Sequence, residues 1–461
     1  MIIGDSLAQG CRSLTVNSAF CQQSSAARIA QAQNWEFRTP DFPRPILFDL
    51  EQELRNLNPL ELSVETFRLV NIGARIRANL DQWLQNARES DFSCFDNLGL
   101  AGAMIFDLYT RSAATSQTEI DTIVPQGAGP AIPIKRIGDL HLAINGRFTL
   151  NPSQDADFND LTPLGWVRAR LPRRLLVQIG HNHGLYQIGS QAQDVDFDQS
   201  GADDLHGDHG SYWAQWQKLA EELASLPAEV GTIVVALLPK VGAVANLDPR
   251  ETDRTNGYAP TYGPVFSTST DILSGERLAA IDQNIRAAND RIRQIVTAAA
   301  GTDARLQFLD TYALFESQDY KNSLDVARQI NVTADLTIDN RYLAGKFHLW
   351  PLNMAGWRLS AGGFESIDGM HGSGCGYARL AVEVMKLLGL ASQPEVLLPQ
   401  AFAEDSLLSR YPIELGAVIA LLQILRNLIR TNDFVAIPEA FLTDTLHIAD
   451  VLRLMHSPFI P

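Results

Sequence analysis

Gly231-Thr232-Ile233-Val234-Val235-Ala236-Leu237-Leu238, stopped by Pro239, is the stretch that decides the fold class. It is a short, nearly continuous apolar run rich in β-branched residues. Such a run reads as a strand buried on both faces, which belongs to a parallel sheet. Working outward, similar runs stand at Arg174–Ile179 before Gly180 and at Arg305–Asp310. Ile2–Ile3 runs into Gly4 at the start of the chain, and Phe92–Leu98 is a weaker candidate. Helical apolar spacing fills the stretches Ser211–Leu226, Ser274–Ala300 and Gly376–Leu388. Strand–helix alternation of this kind predicts an α/β doubly wound layer fold.

The rest of the chain is read as additions to that scaffold. Residues 50–90 (with a helical pattern over Leu50–Glu89), 115–172, 248–271 and 322–365 are expected to be insertions. The segment 115–172 is rich in Pro and Gly and shows few clear elements. After residue 390 only helical patterns remain, with Pro394 and Pro399 marking a linker. Residues 391–461 are therefore expected to be a C-terminal helical extension carrying helices at Ile413–Ile429 and Phe441–Met455.

With 461 residues the chain is long enough to bury a full core without metal or disulfide staples. Lys and Arg number 37 against 53 Asp and Glu, a formal net charge of −16. Such a surface repels phosphate backbones and anionic membranes, so nucleic acid is excluded as the expected partner and a small or neutral substrate stays open. The apolar runs fall short of the roughly 20 residues of a membrane span. The N-terminus lacks a charged region and an apolar core of the secretory kind before Gly4. It also looks cut short at its first strand, which leaves cytoplasmic and secreted or periplasmic locations open. Cys11, Cys21, Cys94 and Cys375 permit two disulfides in three connectivities, or none.

Four blocks carry the chemistry. Gly4-Asp5-Ser6-Leu7 follows the first strand, where a Ser on a strand-to-helix turn is exposed at the carboxyl edge of the sheet. Asn97-Leu98-Gly99-Leu100-Ala101-Gly102-Ala103 follows the second, and Gly102 lets a ligand approach its backbone N–H. Ile179-Gly180-His181-Asn182-His183 follows the third, with the Asn182 amide suited to an oxyanion hole. Asp368-Gly369-Met370-His371 places a carboxylate three residues before an imidazole, able to fix its tautomer and steady its charged form.

Taken in order, these blocks resemble the GDSL lipase/esterase family, also called the SGNH hydrolases. The resemblance covers roughly residues 1–390 and is specific only at the four blocks. It implies a flavodoxin-like three-layer α/β/α sandwich around a five-stranded parallel sheet. It also implies Ser6 as nucleophile, His371 as general base and Asp368 as its orienting partner. The oxyanion donors would be the N–H groups of Ser6 and Gly102 and the side chain of Asn182. The implied activity is cleavage of a small-molecule or lipid carboxylic ester through an acyl-enzyme, with no cofactor and no metal. Deacetylation of a carbohydrate, acyl transfer on the same site, and a silent binding protein on a hydrolase scaffold are the alternatives. Two departures stand out. His183 occupies the place of the family's Asp, which puts the local loop in question. Gly372-Ser373 replaces Pro-Ser or Pro-Thr after the histidine, which is expected to loosen that loop.

His181 and His183 are candidate substrate contacts. Asp203-Asp204-Leu205-His206-Gly207-Asp208-His209 is a conceivable metal cluster but reads more simply as a solvated acidic loop. Cys375, four residues beyond His371, could pin the His loop through a disulfide to Cys94 or another partner, or be a buried thiol.

Overall fold

Five strands, β1 (Ile2–Gly4), β2 (Asn97–Gly99), β3 (Arg174–Gln178), β4 (Thr232–Ala236) and β5 (Leu306–Leu309), pair in the order β2-β1-β3-β4-β5. Every pairing is parallel, with Ile3 opposite Leu98 and Val177, and Val235 opposite Val177 and Phe308. The computed structural model describes residues 1–55, 75–76, 78–85, 90, 92–124, 136–196, 209–267, 269, 271–301, 303–348, 356–409 and 446–447.

Alternation along the strands shows why the apolar runs are continuous. Successive side chains point to opposite faces. Ile3, Leu175, Val177, Ile233 and Val235 enter one buried cluster, while Ile2, Leu176, Val234 and Ala236 enter another. Each cluster is closed by helices, here named α1 (Ser6–Gln9), α2 (Ser25–Ala32), α3 (Tyr212–Ala224), α4 (Gly275–Ala300), α5 (Gly374–Leu387) and α6 (Pro394–Glu404). Trp216 and Leu219 of α3 and Ile281 and Ile285 of α4 fill the first cluster. Ala26 and Ile29 of α2, Ala378 and Ala381 of α5 and Leu397 of α6 fill the second. The sheet is thus covered on both faces. Truncating a fully buried residue such as Leu219 to Ala would cost about 2–5 kcal/mol.

The helices carry their own start signals. Ser211 accepts from the N–H of Ala214 at the head of α3, and Ser274 from that of Arg277 at the head of α4. Two polar residues on the inner face of α4 are fully bonded. Asn289 bridges the N–H and carbonyl of Leu238, and Asp282 accepts from the Gly242 N–H and the Tyr258 hydroxyl. They anchor the chain where it leaves β4.

Several expectations are corrected. The second strand lies at Asn97–Gly99, because Phe92–Phe95 turns its rings into the aromatic cluster around Phe148 and not along the sheet. The described residues of the 115–172 segment are largely helical, at Ala113–Ile123, Ile137–Leu150 and Pro163–Arg170. The middle one is buried over most of its last three turns, so its sequence lacks the contrast between faces that reveals a surface helix. Residues 247–249, 261–264 and 273–274 make a small antiparallel sheet, a hairpin lies at 330–338, and strand 344–348 pairs antiparallel with strand 356–361.

Pro394 opens a helix instead of a linker. Proline fits the first helical turn, where its missing N–H costs nothing. Beyond it, Asp405 accepts from the Gly374 N–H at 2.7 Å and pairs with Arg12 at 3.1 Å. The expected helix at Ile413–Ile429 and most of that at Phe441–Met455 lie outside the described residues. Of the latter, Leu446–His447 is a two-residue strand paired with Ala344–Gly345, not helix. From the 50–90 segment, Leu50–Arg55 and residues 78–84 are helical, and much of the remainder lies outside the described residues. No helix among the described residues is long and apolar enough to cross a membrane.

Candidate active site

The strand order reverses between β1 and β3, and crevices at such a switch point, beyond the carboxyl ends of the strands, are where open α/β sheets bind ligands. Ser6 leaves β1 at that point and His181–Asn182 leaves β3 beside it. Gly4 makes the approach possible: a Cβ there would lie 1.9 Å from the Gln178 carbonyl oxygen. Asp5 then caps α1, accepting from the Leu7 N–H, while its own N–H donates to the Gln178 carbonyl. Ser6 is left at the first position of α1.

His371 stands 365 positions away in sequence, yet its Nε2 lies 2.9 Å from Ser6 Oγ. Its Nδ1 lies 2.7 Å from Asp368 Oδ2. The three side chains form a continuous hydrogen-bonded chain, Ser6 to His371 to Asp368. Asp368 is fully buried, and accepts from the N–H groups of Leu14, Met370 and His371. Burial alone would raise its pKa; the adjacent His371 and the N–H donors outweigh that and hold the carboxyl below its ordinary value. Burial likewise opposes charge on His371. Nearby Cys11 and the Asp368 carboxylate outweigh it, so the imidazole sits well above its ordinary pKa.

The loop carrying these two residues is tight. Gly369 has φ +66°, and a Cβ there would meet the Asn246 backbone N at 2.7 Å, so only glycine fits. Ser366 donates its N–H to the His371 carbonyl, and Glu365 and Gly372 bridge the base of the loop. The Gly372-Ser373 departure does not loosen it. Ser373 caps α5 by accepting from the Gly376 N–H, and its hydroxyl donates to the Gly363 carbonyl at 2.6 Å.

The expected oxyanion donors gather at the same edge. Gly102 is exposed, at φ +93°, and a Cβ on it would meet nothing closer than 3.8 Å, so its glycine serves backbone conformation and not space. Asn182 donates one amide hydrogen to the Ala103 carbonyl at 2.8 Å, which ties the third block to the second. The two candidate histidines divide. His181 Nδ1 lies 2.6 Å from Asp5 Oδ2, directly behind the serine turn. His183 turns away: its Nε2 lies 3.0 Å from Gln215 Oε1 on α3 and its ring meets Tyr212 edge-on. Gln215 and Tyr212 thus anchor the loop that follows β3.

Three groups of supporting residues were not visible to sequence reasoning. Gln9 accepts from the Ala101 N–H and exchanges amide bonds with Asn145, locking α1 to the second block. Arg12, fully buried, pairs with Glu51 and Asp405. Ser13 and Leu14 adopt positive φ of 53° and 54°, which aims the Ser13 N–H at Ser366 Oγ and the Leu14 N–H at Asp368. The only sequence signal was the density of polar residues just after the first block.

All four cysteines are free and buried. Cys94 and Cys375 belong to the clusters on opposite faces of the sheet, so a bridge between them is excluded. Of the Asp203–His209 stretch only His209 is described, and it stacks on Phe106. Among the described residues no group of three His, Cys, Asp or Glu side chains is placed to hold a metal ion. No protein-family model, curated protein or solved structure matches the chain.

Proposed function

We propose that the protein is a serine hydrolase of the GDSL/SGNH kind that cleaves carboxylic esters. The reading rests on one observation: the Ser6–His371–Asp368 chain, with links of 2.9 and 2.7 Å, stands at the switch point of the parallel sheet.

The roles follow from the chemistry. A serine hydroxyl is a poor nucleophile, so His371 Nε2 takes its proton as Oγ bonds to the ester carbonyl carbon. The carbonyl π pair moves to oxygen, giving an oxyanion held by the N–H groups of Ser6 and Gly102 and the second amide hydrogen of Asn182. The intermediate collapses, the alcohol leaves with the proton from His371, and an acyl-Ser6 ester remains. Water, deprotonated by His371, then attacks that ester. The acid departs and Ser6 regains its proton. Asp368 stays ionised throughout, fixing the imidazole tautomer and stabilising its charged form. The buried donors around Asp368 suit that role.

The test is hydrolysis of a short p-nitrophenyl ester by the protein and by Ser6→Ala. Loss of turnover in the variant is expected; turnover at the parent level would overturn the proposal.

A further inference from the structure

A cavity of about 30 Å³ adjoins the catalytic residues and has features the reaction above does not use. Leu7, His181 and Met370 line it, the immediate chain neighbours of Ser6, Asn182 and His371. Its walls are otherwise largely apolar, with Phe315, Phe364 and Leu380 among them. Buried polar side chains also line it, among them Glu365 and Gln178, each 2% exposed. Among the described residues, neither carboxyl oxygen of Glu365 has a hydrogen-bond partner, and neither does Gln178 Oε1. Buried polar atoms are rarely left so, and three on residues that line one cavity point to a ligand group that satisfies them.

Resting on the esterase reading, we propose that this cavity is a substrate subsite that takes a small hydroxyl-bearing arm of the ester, bonded by Glu365 and Gln178. The volume suits a hydroxyl and the carbon that bears it, since one water-sized group needs about 10–15 Å³ by this measure. Burial pushes the Glu365 carboxyl well above its ordinary pKa, against the pull of Lys321, which favours the protonated acid. The acid O–H then donates to the substrate hydroxyl oxygen, and the substrate hydroxyl donates to Gln178 Oε1. An ammonium fits less well, because it offers no acceptor for the acid proton.

The experiment compares isosteric ester pairs that differ only by methyl against hydroxyl. On the acyl side these are p-nitrophenyl propionate and glycolate; on the alcohol side, propyl and 2-hydroxyethyl acetate. The ratio of kcat/KM within each pair is measured for the protein and for Glu365→Leu and Gln178→Leu, each first shown to be folded by thermal unfolding. Intrinsic reactivity cancels between protein and variant. In one pair the hydroxyl preference should fall by about 10–100-fold in Glu365→Leu and also fall in Gln178→Leu. Glu365→Gln, which keeps an acceptor and a donor, should restore part of it. The side on which the change occurs identifies the arm. Unchanged ratios in both pairs would overturn the subsite while leaving Ser6-dependent hydrolysis intact. Hydrolysis that survives Ser6→Ala would instead remove the reading on which it rests.

Discussion

Leu14 directs its backbone N–H onto the carboxylate of Asp368 at 2.8 Å, across 354 positions of sequence. It does so from a left-handed backbone, φ 54°, that a leucine adopts only at a cost of about 1 kcal/mol or more. The strained turn after Ser6 thus helps hold Asp368, the partner of His371. Leu14→Gly keeps the N–H and suits the backbone, so its unfolding free energy should stay within about 1 kcal/mol of the parent. Leu14→Pro removes the donor and forbids that φ. It should lose more than about 1–3 kcal/mol, read by chemical denaturation.

The pH dependence of the proposed reaction has a definite sign. His371 must be neutral to accept the Ser6 proton. Its pKa is held above the ordinary value of 6.5, so kcat/KM should rise with pH along a limb centred above that value. Asp368→Asn removes one of the causes that raise it while burial, which lowers it, remains. The limb should therefore move to lower pH, and kcat should fall about 10⁴-fold as the tautomer is lost. A limb that stays in place in the variant would show that Asp368 does not act on His371.

In the proposed reaction, Asn182→Ala removes one oxyanion donor, and with it goes the tie to Ala103. A drop of about 10²–10³ in kcat, larger than any rise in KM, is the expected result of steady-state kinetics. A change in KM alone would place Asn182 in ground-state binding.

Gly369→Ala forces a Cβ to within 2.7 Å of the Asn246 backbone in a conformation alanine disfavours. Thermal and chemical unfolding should show a loss of about 1–3 kcal/mol. Activity should fall further, because the displaced loop carries both Asp368 and His371.

The fold and the site were legible in the sequence to different depths. Thr232–Ala236 and Arg174–Gln178 announce themselves because strands buried on both faces must be continuously apolar. Ser6, Gly102, Asn182, Asp368 and His371 were readable because each follows a strand or opens a final helix in a recognisable order. Ile137–Leu150 was hidden because its burial spreads over several faces. Gln9–Asn145 and Arg12–Glu51–Asp405 were hidden for another reason: polar contacts between distant single residues leave no periodic trace. The same holds for Glu365, whose burial beside the site is a product of the tertiary structure alone.

The central claim is that Ser6 is a nucleophile activated by His371. The most direct measurement is intact-mass and peptide mapping after reaction with a fluorophosphonate probe. One adduct per chain, located on Ser6 and abolished in Ser6→Ala and strongly slowed in His371→Ala, is the predicted result. Folded protein that takes no label, or takes it on another residue, would contradict the account.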